Sequence, residues 1–120
     1  MDSFAALSFL LMRILMVCLG NICRSPIAEG LLRSKIALHG LDWHVASAGT
    51  ESYHVGSAPH KHSQAICLDK GVDISCQVAR QFTVKDFDNF DKIYALAEDV
   101  YEEIERIGGK KADMGKVHLL

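Results

Sequence analysis

One stretch, Val17-Cys18-Leu19-Gly20-Asn21-Ile22-Cys23-Arg24-Ser25-Pro26, constrains this chain more than any other. An apolar run, Ile14-Leu15-Met16-Val17, leads into it and reads as a buried strand, and a helical pattern leaves it from Pro26 onward. The stretch is therefore a loop between strand and helix, carrying a cysteine and an arginine with five residues between them. The backbone N–H groups of such a loop converge on an anion, and the helix N-terminus adds its positive end. Arg24 supplies a two-pronged donor for phosphate oxygens. Cys18 then lies beneath the phosphorus, where the same positive field favours a thiolate over a thiol. Ser25 is expected as the N-cap, with its hydroxyl within reach of the sulfur, and Pro26 as the first helical residue. Gly20 and Asn21 tolerate the positive φ angles such a loop needs.

The rest of the chain supplies a scaffold for that loop. Residues 13–18 read as a first strand and 26–39 as a helix, with Ile27, Ala28, Leu31, Leu32 and Ile36 near one face and Gly40 as its stop. Glu29 near the helix start and His39 at its end complement the helix dipole. Trp43 to Ala48 reads as a second strand, Gly49 to His62 as a loop, and residues 63–70 as a helix closed by Gly71. Ile93 to Ala97 is a third strand, Glu98 to Ile107 an acidic-headed helix ended by Gly108-Gly109, and Val117 to Leu120 a fourth strand. This alternation predicts an α/β fold: a small four-stranded parallel sheet with helices on both faces. Ligands of such sheets sit at the carboxyl ends of the strands, where the Cys18 loop emerges.

Composition narrows the function classes. A length of 120 residues suits one small domain with a real core, and a net charge of −2 gives no sign of a nucleic-acid or bilayer surface. The four cysteines, Cys18, Cys23, Cys67 and Cys76, form neither a secreted disulfide framework nor a zinc-type CxxC pair, which points to a reducing, cytoplasmic location. His60 and His62 flank Lys61 without a third ligand, so no metal site is expected. Asp86, Asp88 and Asp91 lack calcium-loop spacing, and no GK[ST] or GxGxxG run is present. No cofactor is implied. Residues 1–11 carry a largely apolar run, Phe4 to Leu11, that follows Asp2 rather than a basic residue. They are expected to be an extension outside the domain, which Met12 would open.

The loop resembles the phosphate loop of the low-molecular-weight protein tyrosine phosphatases. Ser47-Ala48-Gly49-Thr50, Ala79-Arg80-Gln81-Phe82 and Asp91-Lys92-Ile93 continue the likeness in the family's order, over residues 12–120. The resemblance implies hydrolysis of phosphotyrosine, in a protein or a small aryl phosphate, through a cysteinyl-phosphate intermediate, with inorganic phosphate as product. It makes Cys18 the nucleophile and Arg24 the transition-state clamp, with Leu19, Gly20, Asn21, Ile22, Cys23, Arg24 and Ser25 around the phosphate. Asn21, Ser25 and Ser47 would support the loop, and Tyr53 would line the entrance. Cys23 would shelter Cys18 from irreversible oxidation as its disulfide partner.

The sequence also departs from the family. Its only prolines are Pro26 and Pro59, so it holds no Asp-Pro pair to supply the general acid, and the family's last helix is missing. We expect a C-terminally incomplete domain whose turnover is impaired, since general acids contribute about 10²–10⁴-fold. Gln77 stands where many relatives have a histidine, and Ala97 where they have an aspartate. Two other readings remain open. One is a thioredoxin-coupled arsenate reductase of the same fold, using Cys67 and Cys76 as relay thiols. The other is a phosphate-binding module without catalysis.

Overall fold

A computed structural model describes residues 11–120, and the expected N-terminal extension lies outside them apart from Leu11, which is exposed. Four strands form one parallel sheet: β1 (Met12–Cys18), β2 (Trp43–Gly49), β3 (Lys92–Ala95) and β4 (Val117–Leu119), in the order β2-β1-β3-β4. Among the described residues four α-helices connect or follow them: α1 (Arg24–Leu38), α2 (Lys61–Asp69), α3 (Asp86–Asn89) and α4 (Glu98–Gly108). The chain moves from β1 outward to β2, then returns across β1 to β3. The topological switch therefore falls between β1 and β3, and Cys18 ends β1 at that point.

The central strand explains why the apolar run is unbroken. Leu15 and Val17 pack on one face with Ile93, Ala95, Phe82, Phe87, Val100 and Ile104. Ile14 and Met16 point to the other, against Val45 and Ile36, with Ala28, Leu32 and Trp43 at the margin. A strand buried on both faces has no need of polar alternation. Burying each large aliphatic side chain of this kind contributes about 1.5–3 kcal/mol. Helices α1 and α2 end alike: Leu41 N–H bonds to the Ile36 carbonyl and Gly40 N–H to Ala37, while Val72 bonds to Cys67 and Gly71 to Leu68. Gly40 and Gly71 have φ of 63° and 77°, the left-handed turn this closure requires.

Several expectations are corrected. Helix α1 begins at Arg24, so Ser25 lies in its first turn rather than capping it, and Cys23 occupies the cap position without a side-chain cap. Pro26 is the third helical residue. Its missing N–H is harmless there, because the first four helical amides have no intrahelical acceptor. The buried face of α1 is Ser25, Pro26, Glu29, Gly30 and Ile36, while Ile27, Leu31 and Leu32 are only partly covered. Glu29 is thus no dipole ornament but a buried carboxylate. Strand β3 stops at Ala95, and Ala97 is the N-cap residue of α4, where its methyl offers no acceptor. The one-turn helix α3 was not anticipated. Among the described residues no helix is long and apolar enough to cross a membrane.

Candidate active site

The loop from Cys18 to Arg24 wraps the start of α1, and its sulfur faces two donors. Asn21 N–H reaches Cys18 Sγ at 3.3 Å, and Ser25 Oγ lies 2.9 Å from it. Ser25 Oγ is also 3.5 Å from the Ala48 carbonyl. A thiol can therefore donate to Ser25 while Ser25 donates to Ala48, and a thiolate can instead receive the Ser25 proton. This hydroxyl can follow the sulfur's protonation state without moving.

Behind the sulfur the polar groups form a directed chain. Asn21 holds φ at 58°. Its Oδ1 accepts the Arg80 N–H at 3.0 Å, which fixes the amide's orientation. Its Nδ2 then donates to Ser25 Oγ at 2.7 Å and to Ser47 Oγ at 2.9 Å. The Ser47 hydroxyl donates to Glu29 Oε1 at 2.6 Å, and Arg33 neutralises Glu29 Oε2 at 2.8 Å while also bonding the Val45 carbonyl. Asn21, Ser25, Ser47 and Glu29 are all buried. A buried carboxylate is tolerable here because a cation and a hydroxyl satisfy its two oxygens.

The backbone of β2 completes the mounting. Thr50 N–H bonds to the Cys18 carbonyl at 3.0 Å and Glu51 N–H to Leu19 at 2.8 Å. Gly49 is required by close approach: a Cβ there would lie 2.8 Å from the Leu19 oxygen and 2.9 Å from Asn21 N. Arg24 donates from Nη1 to the Leu96 carbonyl at 3.2 Å, so its guanidinium already leans over the β1–β3 switch.

Above the sulfur is a pocket of about 280 Å³ lined by Cys18, Leu19, Gly20, Ile22, Cys23, Arg24, Glu51, Tyr53 and His54. Tyr53 stands 83% exposed at its margin, and the His54 ring covers Gly20. Cys18 is buried and Cys23 exposed. Gln77 donates to the Pro26 carbonyl at 3.1 Å, and among the described residues its Oε1 has no hydrogen-bond partner. The candidate relay thiols are placed differently. Cys67 is fully buried in α2, where burial pushes its thiol up against the smaller opposing pull of Lys70, and Cys76 is exposed. A buried, protonated thiol is a poor relay. His60 caps α2 by accepting the His62 N–H, and the described residues include no cluster of three metal-ligating side chains.

Sequence reading missed Glu29, Arg33 and the Arg80–Asp86 pair as parts of this mounting. Arg33 lies four residues after Glu29, a helical ion-pair spacing, but nothing local signalled burial.

Cys18 and Arg24 thus share a strand–helix loop at the switch point of a parallel sheet, an arrangement chemically suited to hold an oxyanion beside a thiol. Residues 13–120 match the family model described as low molecular weight phosphotyrosine protein phosphatase, and the chain belongs to that family. It is 38% identical over 100 residues to the low molecular weight protein-tyrosine-phosphatase YfkJ of Bacillus subtilis, covering 82% of this chain and 64% of that one. The crystal structure of YfkJ superposes with a TM-score of 0.86 at 34% identity, over 91% of this chain and 69% of that chain. The human low molecular weight phosphotyrosine protein phosphatase is 38% identical over 110 residues, or 89% of this chain and 69% of that one. Vibrio vulnificus Wzb, solved in complex with benzylphosphonate, superposes with a TM-score of 0.81 at 27% identity, over 90% and 72% of the two chains. The chain thus spans just under two thirds of the Bacillus relative's length.

Proposed function

We propose that this chain hydrolyses aryl phosphate monoesters, phosphotyrosine foremost, through a cysteinyl-phosphate intermediate. The observation that carries the reading is the Cys18 sulfur at a pocket it shares with Arg24, with Ser25 Oγ at 2.9 Å and the Asn21 N–H at 3.3 Å. In the first step the thiolate attacks phosphorus, the P–S bond forms, and the aryloxide leaves with the P–O bonding pair. Arg24 and the loop amides hold the equatorial oxygens. In the second step water attacks phosphorus, the P–S bond breaks, and phosphate departs as the thiolate is restored. Tyr53 at the pocket margin suits stacking on the substrate's aromatic ring. The benzyl group bound by the Vibrio relative supports that preference.

That Cys23 lines the same pocket supports its condensing with a Cys18 sulfenic acid, formed by a peroxide oxidant, to release water and give a disulfide. Such a thiol enzyme belongs in a reducing, cytoplasmic compartment. The 120 residues hold no Asp-Pro pair, so we expect good leaving groups to be turned over far better than poor ones.

The test is hydrolysis of p-nitrophenyl phosphate near pH 6, with Cys18→Ser as control. We expect slow turnover by the wild-type chain and a loss of at least roughly a thousandfold in the variant. A folded wild type without turnover would sink the phosphatase reading and leave phosphate binding alone.

A further inference from the structure

Arg80 does two things at once. Its backbone N–H donates to Asn21 Oδ1 at 3.0 Å, and its backbone carbonyl accepts from Gly49 N–H at 2.9 Å. Its side chain reaches away from the loop, where Nη1 and Nη2 grip Asp86 Oδ2 and Oδ1 at 3.1 and 3.0 Å. Asp86 Oδ2 also accepts the Thr83 N–H at 2.9 Å, and only 5% of its side chain is exposed. A two-pronged pair on a buried carboxylate, with a third donor on the same group, has one geometry and resists displacement. It closes residues 80–86 into a stiff hook whose other end is the amide that orients Asn21.

We propose that the Arg80–Asp86 pair is a positioning device for the nucleophile. Neither residue lines the pocket above Cys18. Their influence runs through the Arg80 N–H to Asn21 Oδ1, which turns both Asn21 Nδ2 hydrogens toward Ser25 and Ser47. Without that anchor the amide is free to rotate, since an Asn side chain presents similar shapes in both orientations. Ser25 then loses its donor, and its hydroxyl is no longer committed to the sulfur. The role rests on Cys18 being the reactive thiol of the proposed function, but its signature does not require phosphate-ester turnover.

The test reads Cys18 directly. Alkylation by iodoacetate at pH 6 is followed residue by residue by mass spectrometry, at a temperature where circular dichroism shows every variant folded. In Asp86→Asn, which keeps an acceptor for Thr83 but loses the charge, Cys18 alkylation should slow by roughly tenfold, the effect of weakening one hydrogen bond to a charged group. Arg80→Lys, which keeps the charge and loses the fork, should slow it less and serves if Asp86→Asn does not fold. The decisive arm is Asn21→Gly, which permits the positive φ and removes the amide. On that background Asp86→Asn should change alkylation no further, because the path is already cut.

A lowered melting temperature with unchanged Cys18 alkylation would overturn the proposal, and so would an equal slowing with and without the Asn21 side chain. Absence of p-nitrophenyl phosphate turnover alongside an Asn21-dependent alkylation effect would instead sink the phosphatase reading and leave the positioning role of the Arg80–Asp86 pair standing.

Discussion

The two ends of the sheet each carry an Arg–Asp pair, and the pairs are built differently: Arg80 and Asp86 are 6 positions apart, whereas Arg13 and Asp91 are 78 apart. At the carboxyl end, Arg80 forks onto an Asp86 side chain that is 5% exposed and already bonded to the Thr83 amide. At the amino end, Arg13 Nη2 meets Asp91 Oδ1 at 3.3 Å with both side chains about half exposed (50% and 45%). In the first pair the Arg80 side chain is 40% exposed but its carboxylate partner is buried, and the Arg80 backbone N–H joins it to the buried polar chain of Asn21, Ser25, Ser47 and Glu29. The second stands in solvent, where its bond to water is nearly as good as its bond to the partner. The same residue types therefore brace the Cys18 loop at one rim and merely trim a strand register at the other. Burial and connectivity make the difference.

The comparison predicts a steep gradient of mutational effect from one rim to the other, steepest where backbone meets backbone. Gly49→Ala would place a methyl 2.8–2.9 Å from Leu19 O, Gly20 C and Asn21 N, none of which is the end of a flexible side chain. The loop must shift, and a shift of that size at a reacting centre costs about 10²-fold in kcat/KM. Melting temperature should fall as well, by the equivalent of about 1–3 kcal/mol of overpacking. Near-wild-type hydrolysis of p-nitrophenyl phosphate by Gly49→Ala would show that the rim is not fitted as closely as the geometry implies, and the contrast between the two ends would weaken.

Ser47→Ala probes the middle of the gradient. Ser47 is the joint between Asn21 Nδ2 and Glu29 Oε1, and its loss leaves one N–H and one carboxylate oxygen unpaired in a buried setting. Unsatisfied groups of this kind cost about 1–3 kcal/mol each, offset where a water can enter. Urea denaturation should report a lower midpoint with an unchanged slope. Turnover should fall by about tenfold, less than for Gly49→Ala, because Ser25 keeps its own bond from Asn21. A larger effect on turnover than that of Gly49→Ala would reverse the expected order and place the control of the loop in the polar chain.

What could be read from the sequence follows the same division. The strands and long helices were legible because their patterns are local: an apolar run of strand length, apolar residues at helical spacing, a glycine after the last turn. Cys18 and Arg24 stood out because they share one contiguous loop. The mounting behind them was not. Arg80 and Asn21 are 59 positions apart, and Glu29 and Ser47 are 18 apart, so no window contains both partners. Glu29 in particular sits where an acid near a helix start has an adequate local explanation, and only the approach of β2 gives it another. Helix α3 spans four residues, fewer than periodicity can register. The offset of Ser25 and Pro26 within α1 has a similar origin. Their types satisfy the capping rules, but the loop's hydrogen bonds continue the helical turn back to Arg24.

The smallest effect is expected at the amino-end pair, and its pH dependence gives the sharpest check. Arg13 reaches Asp91 from both side chain and backbone N–H, and those bonds hold the Asp91 carboxyl below its ordinary value. Lowering that value in the folded state means the stabilisation is fully present above the unfolded carboxyl range. It fades as pH falls below about 4 and the folded carboxylate takes up its proton. With both side chains about half exposed, the contribution at neutral pH should stay under about 1 kcal/mol. Asp91→Asn should therefore lower the melting temperature slightly at pH 7, and the gap from wild type should close as the pH approaches 3. Hydrolysis of p-nitrophenyl phosphate should be unchanged, since the pair touches β1 and β3 at the end away from Cys18. A loss of turnover in Asp91→Asn would mean that strand register at the far rim is transmitted along β1 to the loop. The two ends would then be one mechanical unit, not a fixed rim and a free one.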